Sequence, residues 1–299
     1  MREFNRALPA NTSRQTMMVS ICSTISMYQG HVIIDYEKVL KKGLLAMREE
    51  VSEAAKQESL EGDQKDFLKS VVIALDGMII YARRLVEKLQ EMHSVEADPA
   101  KKRILETTLN NCKVVPLNPA ATFRQAVQSA WTVKTAVELA HPVNLHSFGR
   151  MDQIFQPYYE KDVESGAITR DEAVELIEEL LLKIMSQNIR PESNIISNFY
   201  HRFLGSSPVT IGGLKPDGTD GTNELTYLFL EAAKRSRAVT NVSLRVHGGA
   251  PDDILLAAAD TLYSGSSNIS VFNDDINIEA MRRRGFADED ARNYAVMGC

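Results

Sequence analysis

A helix-rich α/β fold is what the sequence predicts, and three observations predict it. Apolar residues recur at three- and four-residue steps through the first two-thirds of the chain. From residue 208 onward, short β-rich runs alternate with helical runs. The chain has 299 residues, 44% apolar and 25% charged, which allows it to bury a sizeable core.

The early elements are packing helices. Tyr36, Leu40, Gly43, Leu44, Met47, Val51 and Ala54 form one stripe, and Phe67, Val71, Leu75, Met78, Ile79, Leu85, Val86 and Leu89 form a second within 64–92. Asp98-Pro99 opens another helix, with proline at the first helical position, where a missing N–H is harmless. A further helix opens at Thr169, whose hydroxyl and Glu172 have the spacing of a capping box. Ala173, Leu176, Ile177, Leu180 and Ile184 line its buried face; the polar opposite face is that of a helix covering a sheet.

Strands are expected at 209–213, 241–247, 268–272 and 293–297, and helices at 222–237, 251–264 and 276–284. This alternation is the pattern of βαβ units. In the second run Val242, Leu244 and Val246 point one way and Ser243, Arg245 and His247 the other, so half of that strand faces something polar. Gly205-Ser206-Ser207-Pro208 marks the joint between a mainly helical part, 1–204, and the βαβ part, 208–299. Pro216-Asp217-Gly218 is a turn, with Thr222 or Asn223 capping the next helix. Neither a P-loop nor an EF-hand template fits Val209–Leu225. The last expected strand runs straight into Gly298-Cys299, an arrangement expected of a chain cut short.

Composition narrows the function. With 34 basic and 40 acidic residues and a net charge of -6, the chain lacks the basic patch that nucleic-acid binding requires. The apolar stretch Met17–Tyr28 is interrupted by Ser20, Cys22, Ser23, Thr24 and Ser26 and is too short to cross a bilayer, and no basic region precedes it as in a signal peptide. Cys22, Cys112 and Cys299 are too widely spaced for a CxxC clamp or a disulfide framework, so no metal site and a reducing cytoplasm are expected.

Two constellations carry possible chemistry. Cys299 follows a glycine at the carboxyl end of an expected strand, where α/β proteins collect substrates; alternatively it is a small buried hydrophobe. His146-Ser147-Phe148-Gly149-Arg150-Met151-Asp152-Gln153 places hydrogen-bonding side chains beside a glycine, with an imidazole that titrates near neutral pH. The alternative is a helix-opening turn in which Ser147 caps and an Arg150/Asp152 pair fixes the loop.

The run Phe286–Arg292 followed by Asn293-Tyr294-Ala295-Val296-Met297-Gly298-Cys299, with Asn273-Asp274-Asp275 upstream, resembles the cysteine-bearing segment of glycyl radical enzymes of the pyruvate formate-lyase superfamily. His146–Gln153 with Pro157-Tyr158 resembles that family's substrate-holding segment. Gly212-Gly213 through Leu225, Gly30–Leu40, and Val115-Pro116 through Gln128 resemble further segments, so coverage is nearly complete. The resemblance implies part of a ten-stranded α/β barrel of the pyruvate formate-lyase type, about one half-barrel with outer helices. Cys299 would be the catalytic residue whose thiyl radical takes hydrogen from a small polar substrate (a polyol, amine or hydroxylated amino acid). His31, His146, Ser147, Phe148 and Asp152 would be substrate-binding, with Asp35 a weaker candidate.

No cofactor is implied as bound. The glycyl radical would sit on a C-terminal segment beyond Cys299, installed by a radical S-adenosylmethionine activating enzyme. A homodimer of the full-length protein in the cytoplasm, or within a bacterial microcompartment, is the implied setting. Gly298 stands where pyruvate formate-lyase has a second cysteine, so the dehydratase and lyase branch is the better match. A C–C lyase or decarboxylase, and a noncatalytic scaffold retaining the fold, are the alternatives. The glutamate expected two residues after the cysteine does not occur in this chain, which is expected to be inactive alone.

Overall fold

The computed structural model describes residues 32–140, 146–186, 207–238, 240–266 and 268–297. The expectations for His31, Gly298, Cys299 and Met17–Tyr28 concern residues outside these ranges. The described residues form two compact units, one of 35–139 and 154–176, the other of 32–34, 140–153 and 177–297.

The first unit is helical. α1 (Tyr36–Ala54) starts where the Asp35 side chain accepts from Lys38 N, α2 spans Gly62–Val95, and α3 (Pro99–Cys112) starts where Asp98 accepts from Ala100 N and Lys101 N. α4 covers Phe123–Ala140. The predicted stripes supply the buried residues Tyr36, Leu40 and Leu44 on α1, and Leu75, Ile79 and Leu89 on α2, but Phe67, expected in the second stripe, is exposed.

α1 is kinked at Gly43, which has φ +74°. A side chain there would place Cβ 2.6 Å from the backbone of Asn118 and Leu117. Glycine therefore lets the 116–120 strap close on the helix, with Leu44 N donating to Pro116 O, Leu45 N to Leu117 O and Ala120 N to Leu40 O. Phe123 packs edge-on against Phe155 and Tyr159, with centroids 5.9 and 5.7 Å away. Its N–H donates to Asp162 Oδ2 at 2.7 Å. The interior is not wholly apolar, because Lys134 and Glu138 pair within the buried part of α4.

The second unit holds a parallel sheet in the order β1 (Gly149–Arg150), β2 (Val209–Gly212), β3 (Val242–Val246) and β4 (Ile269–Asn273). A parallel bridge between Ile33 and Ser147 extends it beyond β1. α5 (Met151–Glu164) follows β1 directly and from Ile154 on belongs to the helical unit, as does α6 (Arg170–Ser186) up to Leu176; α6 opens with the predicted capping box, Thr169 N donating to Glu172 and Glu172 N to Thr169 Oγ1. α7 (Glu224–Ser236), capped by Asn223, connects β2 to β3, and α8 (Asp252–Tyr263) connects β3 to β4. These are the expected βαβ crossovers.

Register sorts the sheet into two kinds of row. Gly149, Val209, Val242 and Ile269 stand side by side, as do Ile211, Leu244 and Val271, whereas Arg150, Thr210, Ser243 and Ser270 form a polar row. Thr210, Ser243 and Arg245 are buried nonetheless, so their polar groups require partners inside the protein.

Two expectations are corrected. The helix expected at 276–284 starts at Asp274 and ends at Arg283 (α9), and a short α10 (Asp288–Arg292) follows. The strand expected at 293–297 does not form. Asn293 N closes the helix end on Glu289 O and Asp290 O, and beyond it Tyr294 O and Val296 N bond to side chains instead of to a neighbouring strand.

Candidate active site

Those side chains stand on the polar face of the sheet. Arg245, fully buried on β3, spends its guanidinium on four acceptors. Nε and Nη2 donate to Asp274 Oδ1 and Oδ2 at 2.9 and 2.7 Å, Nη1 donates to Tyr294 O at 2.6 Å, and Nη2 also donates to Arg292 O at 2.7 Å. A planar fork with five N–H donors can hold a carboxylate on one edge and two carbonyls on the other; an ammonium cannot. The Tyr294 ring lies over the same guanidinium, 3.8 Å from Cζ.

Asp274 opens α9 and accepts two further donors, the Tyr294 hydroxyl at 2.7 Å and Leu214 N at 2.8 Å. Asn277 donates to the Tyr294 oxygen at 3.0 Å. Burial, with the Asp274 carboxylate adding to it, pushes the Tyr294 phenol up to about 12. Gly213, φ +77°, makes room for this pair: a Cβ there would meet Arg245 Nε at 2.6 Å and Asp274 Oδ2 at 2.7 Å.

The neighbouring strands add two more holds on the same segment. Thr210 Oγ1 on β2 accepts from Val296 N at 3.0 Å, and Arg150 Nη1 on β1 donates to Asn293 Oδ1 at 3.2 Å. The stretch from Arg292 to Val296 is therefore strung along side chains from β1, β2, β3 and α9, off the sheet. Its covalent continuation is Met297-Gly298-Cys299.

The segment around residue 150 is as buried as the β3 cluster. His146, Ser147, Phe148 and Asp152 are all enclosed. Ser147 N donates to Val32 O and Phe148 N to Pro208 O, so these residues enter the sheet as a strand start and not as a helix cap. Asp152, in the first turn of α5, accepts from Gly212 N at 2.6 Å and from the Thr226 hydroxyl at 2.8 Å. Arg150 Nη2 donates to Gly212 O at 2.9 Å. Both backbone groups of Gly212 are thus gripped, N–H by a carboxylate and C=O by a guanidinium. The expected direct Arg150/Asp152 pair is replaced by this joint hold.

Burial raises the Asp152 carboxyl, against the pull of Gly212 N–H, Arg150 and the Thr226 hydroxyl. Burial, and then the charge of Arg245, lowers Arg150 to about 10, which leaves it a cation at neutral pH. Two guanidinium and two carboxyl groups, enclosed together, leave little uncompensated charge. At the end of β3, His247 Nδ1 accepts from Gly249 N, so Nε2 carries the proton that faces Asp220 Oδ1 at 3.1 Å.

The structure therefore brings His146, Ser147, Phe148 and Asp152 together at the start of β1 and α5. Arg245, Asp274, Thr210 and Tyr294 were not singled out from the sequence. The available signal was a lone arginine on a buried strand, which requires a carboxylate, with Asp274 at a helix start among the choices. Among the described residues no group of three or more His, Cys, Asp or Glu side chains could hold a metal ion, and no helix is long and apolar enough to cross a membrane.

Comparison with known proteins gives a consistent result. The family described as pyruvate formate lyase-like matches residues 3–299. Isethionate sulfite-lyase of Nitratidesulfovibrio vulgaris is 34% identical over 99% of this chain and 38% of its own length. Trans-4-hydroxy-L-proline dehydratase of Clostridioides difficile is 30% identical over 90% of this chain and 35% of its own length. The glycerol-bound B12-independent glycerol dehydratase of Clostridium butyricum superposes with a TM-score of 0.83 at 29% identity, covering 99% of this chain and 38% of that one. The chain thus spans less than two-fifths of the length of these relatives.

Proposed function

The chain belongs to the pyruvate formate lyase-like family, and from that premise we propose that it forms part of a glycyl radical lyase of the dehydratase type. The substrate class is a small polar molecule with a hydroxyl group, of the kind named for the relatives: isethionate, hydroxyproline and glycerol. Because the chain spans 38% of the isethionate lyase, the activity is that of a protein that includes the remaining length. It works in the cytoplasm as a homodimer, activated by a radical S-adenosylmethionine enzyme.

Cys299 carries the reaction. A glycyl radical on a residue outside this chain supplies the oxidation that makes the sulfur a thiyl. The thiyl takes one hydrogen atom from a substrate C–H bond, becoming a thiol and leaving a carbon radical. As a base takes the proton of the hydroxyl on that carbon, the radical expels its neighbouring group as an anion, which takes up the proton where it leaves as water or another neutral molecule, and the product radical recovers the hydrogen atom from the thiol. His31 and His146 supply imidazoles for the proton, Ser147 a hydroxyl partner and Phe148 a dry wall. Asp152 acts through its hold on Gly212.

The observation that carries this reading is the fixed approach to the cysteine. A thiyl must meet one C–H bond among several, which demands an immobile backbone, and the segment Arg292–Val296 is held by buried side chains from three strands. The test is anaerobic activation of the full-length protein, with the glycyl radical followed by electron paramagnetic resonance and products measured from isethionate, glycerol, 1,2-propanediol, hydroxyproline and 4-hydroxyphenylacetate. An elimination product is expected, together with loss of turnover and retention of the radical signal in Cys299→Ser. Turnover in Cys299→Ser would refute the assignment. Decarboxylation of 4-hydroxyphenylacetate alone would replace elimination by C–C cleavage, and a protein that accepts no radical would be a scaffold.

A further inference from the structure

We propose that Arg245 and Thr210 are positioning residues for the cysteine, setting the thiol through the backbone of residues 292–296 without touching substrate. The inference rests on the reading of Cys299 given above. Only Met297 and Gly298 separate Val296 from Cys299, a covalent reach of about 11 Å over three residue steps, so whatever fixes Val296 bounds where the sulfur can be.

Three features distinguish this hold from ordinary packing. Among the described residues the segment has no strand neighbour, and its carbonyls at 292 and 294 and its N–H at 296 are met by single side chains. The two holding residues stand on adjacent paired strands, with Ser243 opposite Thr210 and Arg245 two residues further along β3. Both are buried, and Arg245 is itself locked by both Asp274 oxygens and the Tyr294 ring. A hydrogen-abstracting sulfur needs a lateral accuracy that a flexible loop does not give, and a misplacement of about 1 Å costs on the order of 100-fold in rate.

The test uses the activated full-length protein. Arg245→Lys keeps a cation beside Asp274 but has one nitrogen in place of the fork. It is expected to lower kcat by about 10- to 100-fold, with KM and the glycyl radical signal within about twofold of wild type. Thr210→Val keeps the shape and β-branching of a buried strand residue, so it folds, but loses the acceptor for Val296 N. A kcat loss of about tenfold is expected, restored by Thr210→Ser.

Wild-type kcat in both Arg245→Lys and Thr210→Val overturns the proposal, as does a kcat loss in Thr210→Val that Thr210→Ser does not restore. If Arg245→Lys fails to fold, the Thr210 series decides alone. Cys299→Ser separates the two levels: turnover in that variant defeats the cysteine assignment, whereas a dead Cys299→Ser beside unaffected Arg245 and Thr210 variants defeats only the positioning role.

Discussion

Asp274→Asn is the sharpest probe of the buried cluster, because it changes charge and donor pattern while conserving shape. The carboxylate accepts from four donors: Arg245 Nε and the Tyr294 hydroxyl at Oδ1, and Arg245 Nη2 and Leu214 N at Oδ2. In asparagine one of these oxygens becomes an amino group. If it replaces Oδ2, it opposes two N–H groups; if it replaces Oδ1, the tyrosine hydroxyl can turn to accept but Arg245 Nε faces another donor. Either way a guanidinium with no exposed surface loses its counter-charge. Removing one partner of such a pair costs about 3–5 kcal/mol. For a domain of 150–250 residues each kcal/mol shifts Tm by about 2–4 °C, so the transition of the sheet unit should fall by roughly 6–20 °C. Calorimetry of the chain measures the shift, and hydrogen exchange at Leu214 N localises it. A fall under about 3 °C would show that Asp274 contributes no more than a surface pair and would refute the accounting. A double variant, Arg245→Met with Asp274→Leu, should lose less than the sum of its single changes, because it removes both charges together.

Other expectations follow from single contacts. Gly43→Ala forces a left-handed residue to carry a side chain, costing about 1–2 kcal/mol before the Leu117–Asn118 backbone moves aside. Gly77→Ala, on an open face of α2, should instead stabilise by about 0.5–1 kcal/mol; urea midpoints for the two should move in opposite directions. Asp152→Ala leaves Gly212 N–H without an acceptor, at about 1–3 kcal/mol, and the Thr226 hydroxyl with only the long contact to Asn223 Oδ1 at 3.5 Å, whereas Asp152→Asn keeps one oxygen and should fall less in the same titration. The Cys112 thiol, packed against Leu89 and Leu109, is raised to about 11 by burial. The thiolate appears only as pH rises through that value, so at pH 8 peptide mapping should find Cys112 unalkylated in the native chain and alkylated in urea.

Helices were legible because their signals are local. The stripes on α1 and α2, the Asp98-Pro99 start, the Thr169/Glu172 box and the Asn223 cap all involve residues a few positions apart, and each forms as expected except that Phe67 of the α2 stripe is exposed. β2, β3 and β4 were legible from alternation with helices. β1 was not, because Gly149-Arg150 is too short to show a period and is a strand only because Val209-Thr210 pairs with it.

At the site, the sequence alone determined the family resemblance, the segment His146–Gln153 as a run of hydrogen-bonding side chains, and the demand that one face of β3 meet something polar. Only the tertiary structure decided what that partner is. Arg245 chose Asp274 over the adjacent Asp275, and took the carbonyls that a strand at 293–297 would have offered to a neighbour. Those partners lie 29 to 49 residues away along the chain, and Asp152 reaches Gly212 across 60. Periodicity reports which way a side chain points. The group it meets is set by strand register and crossover geometry, which exist only once the sheet has formed.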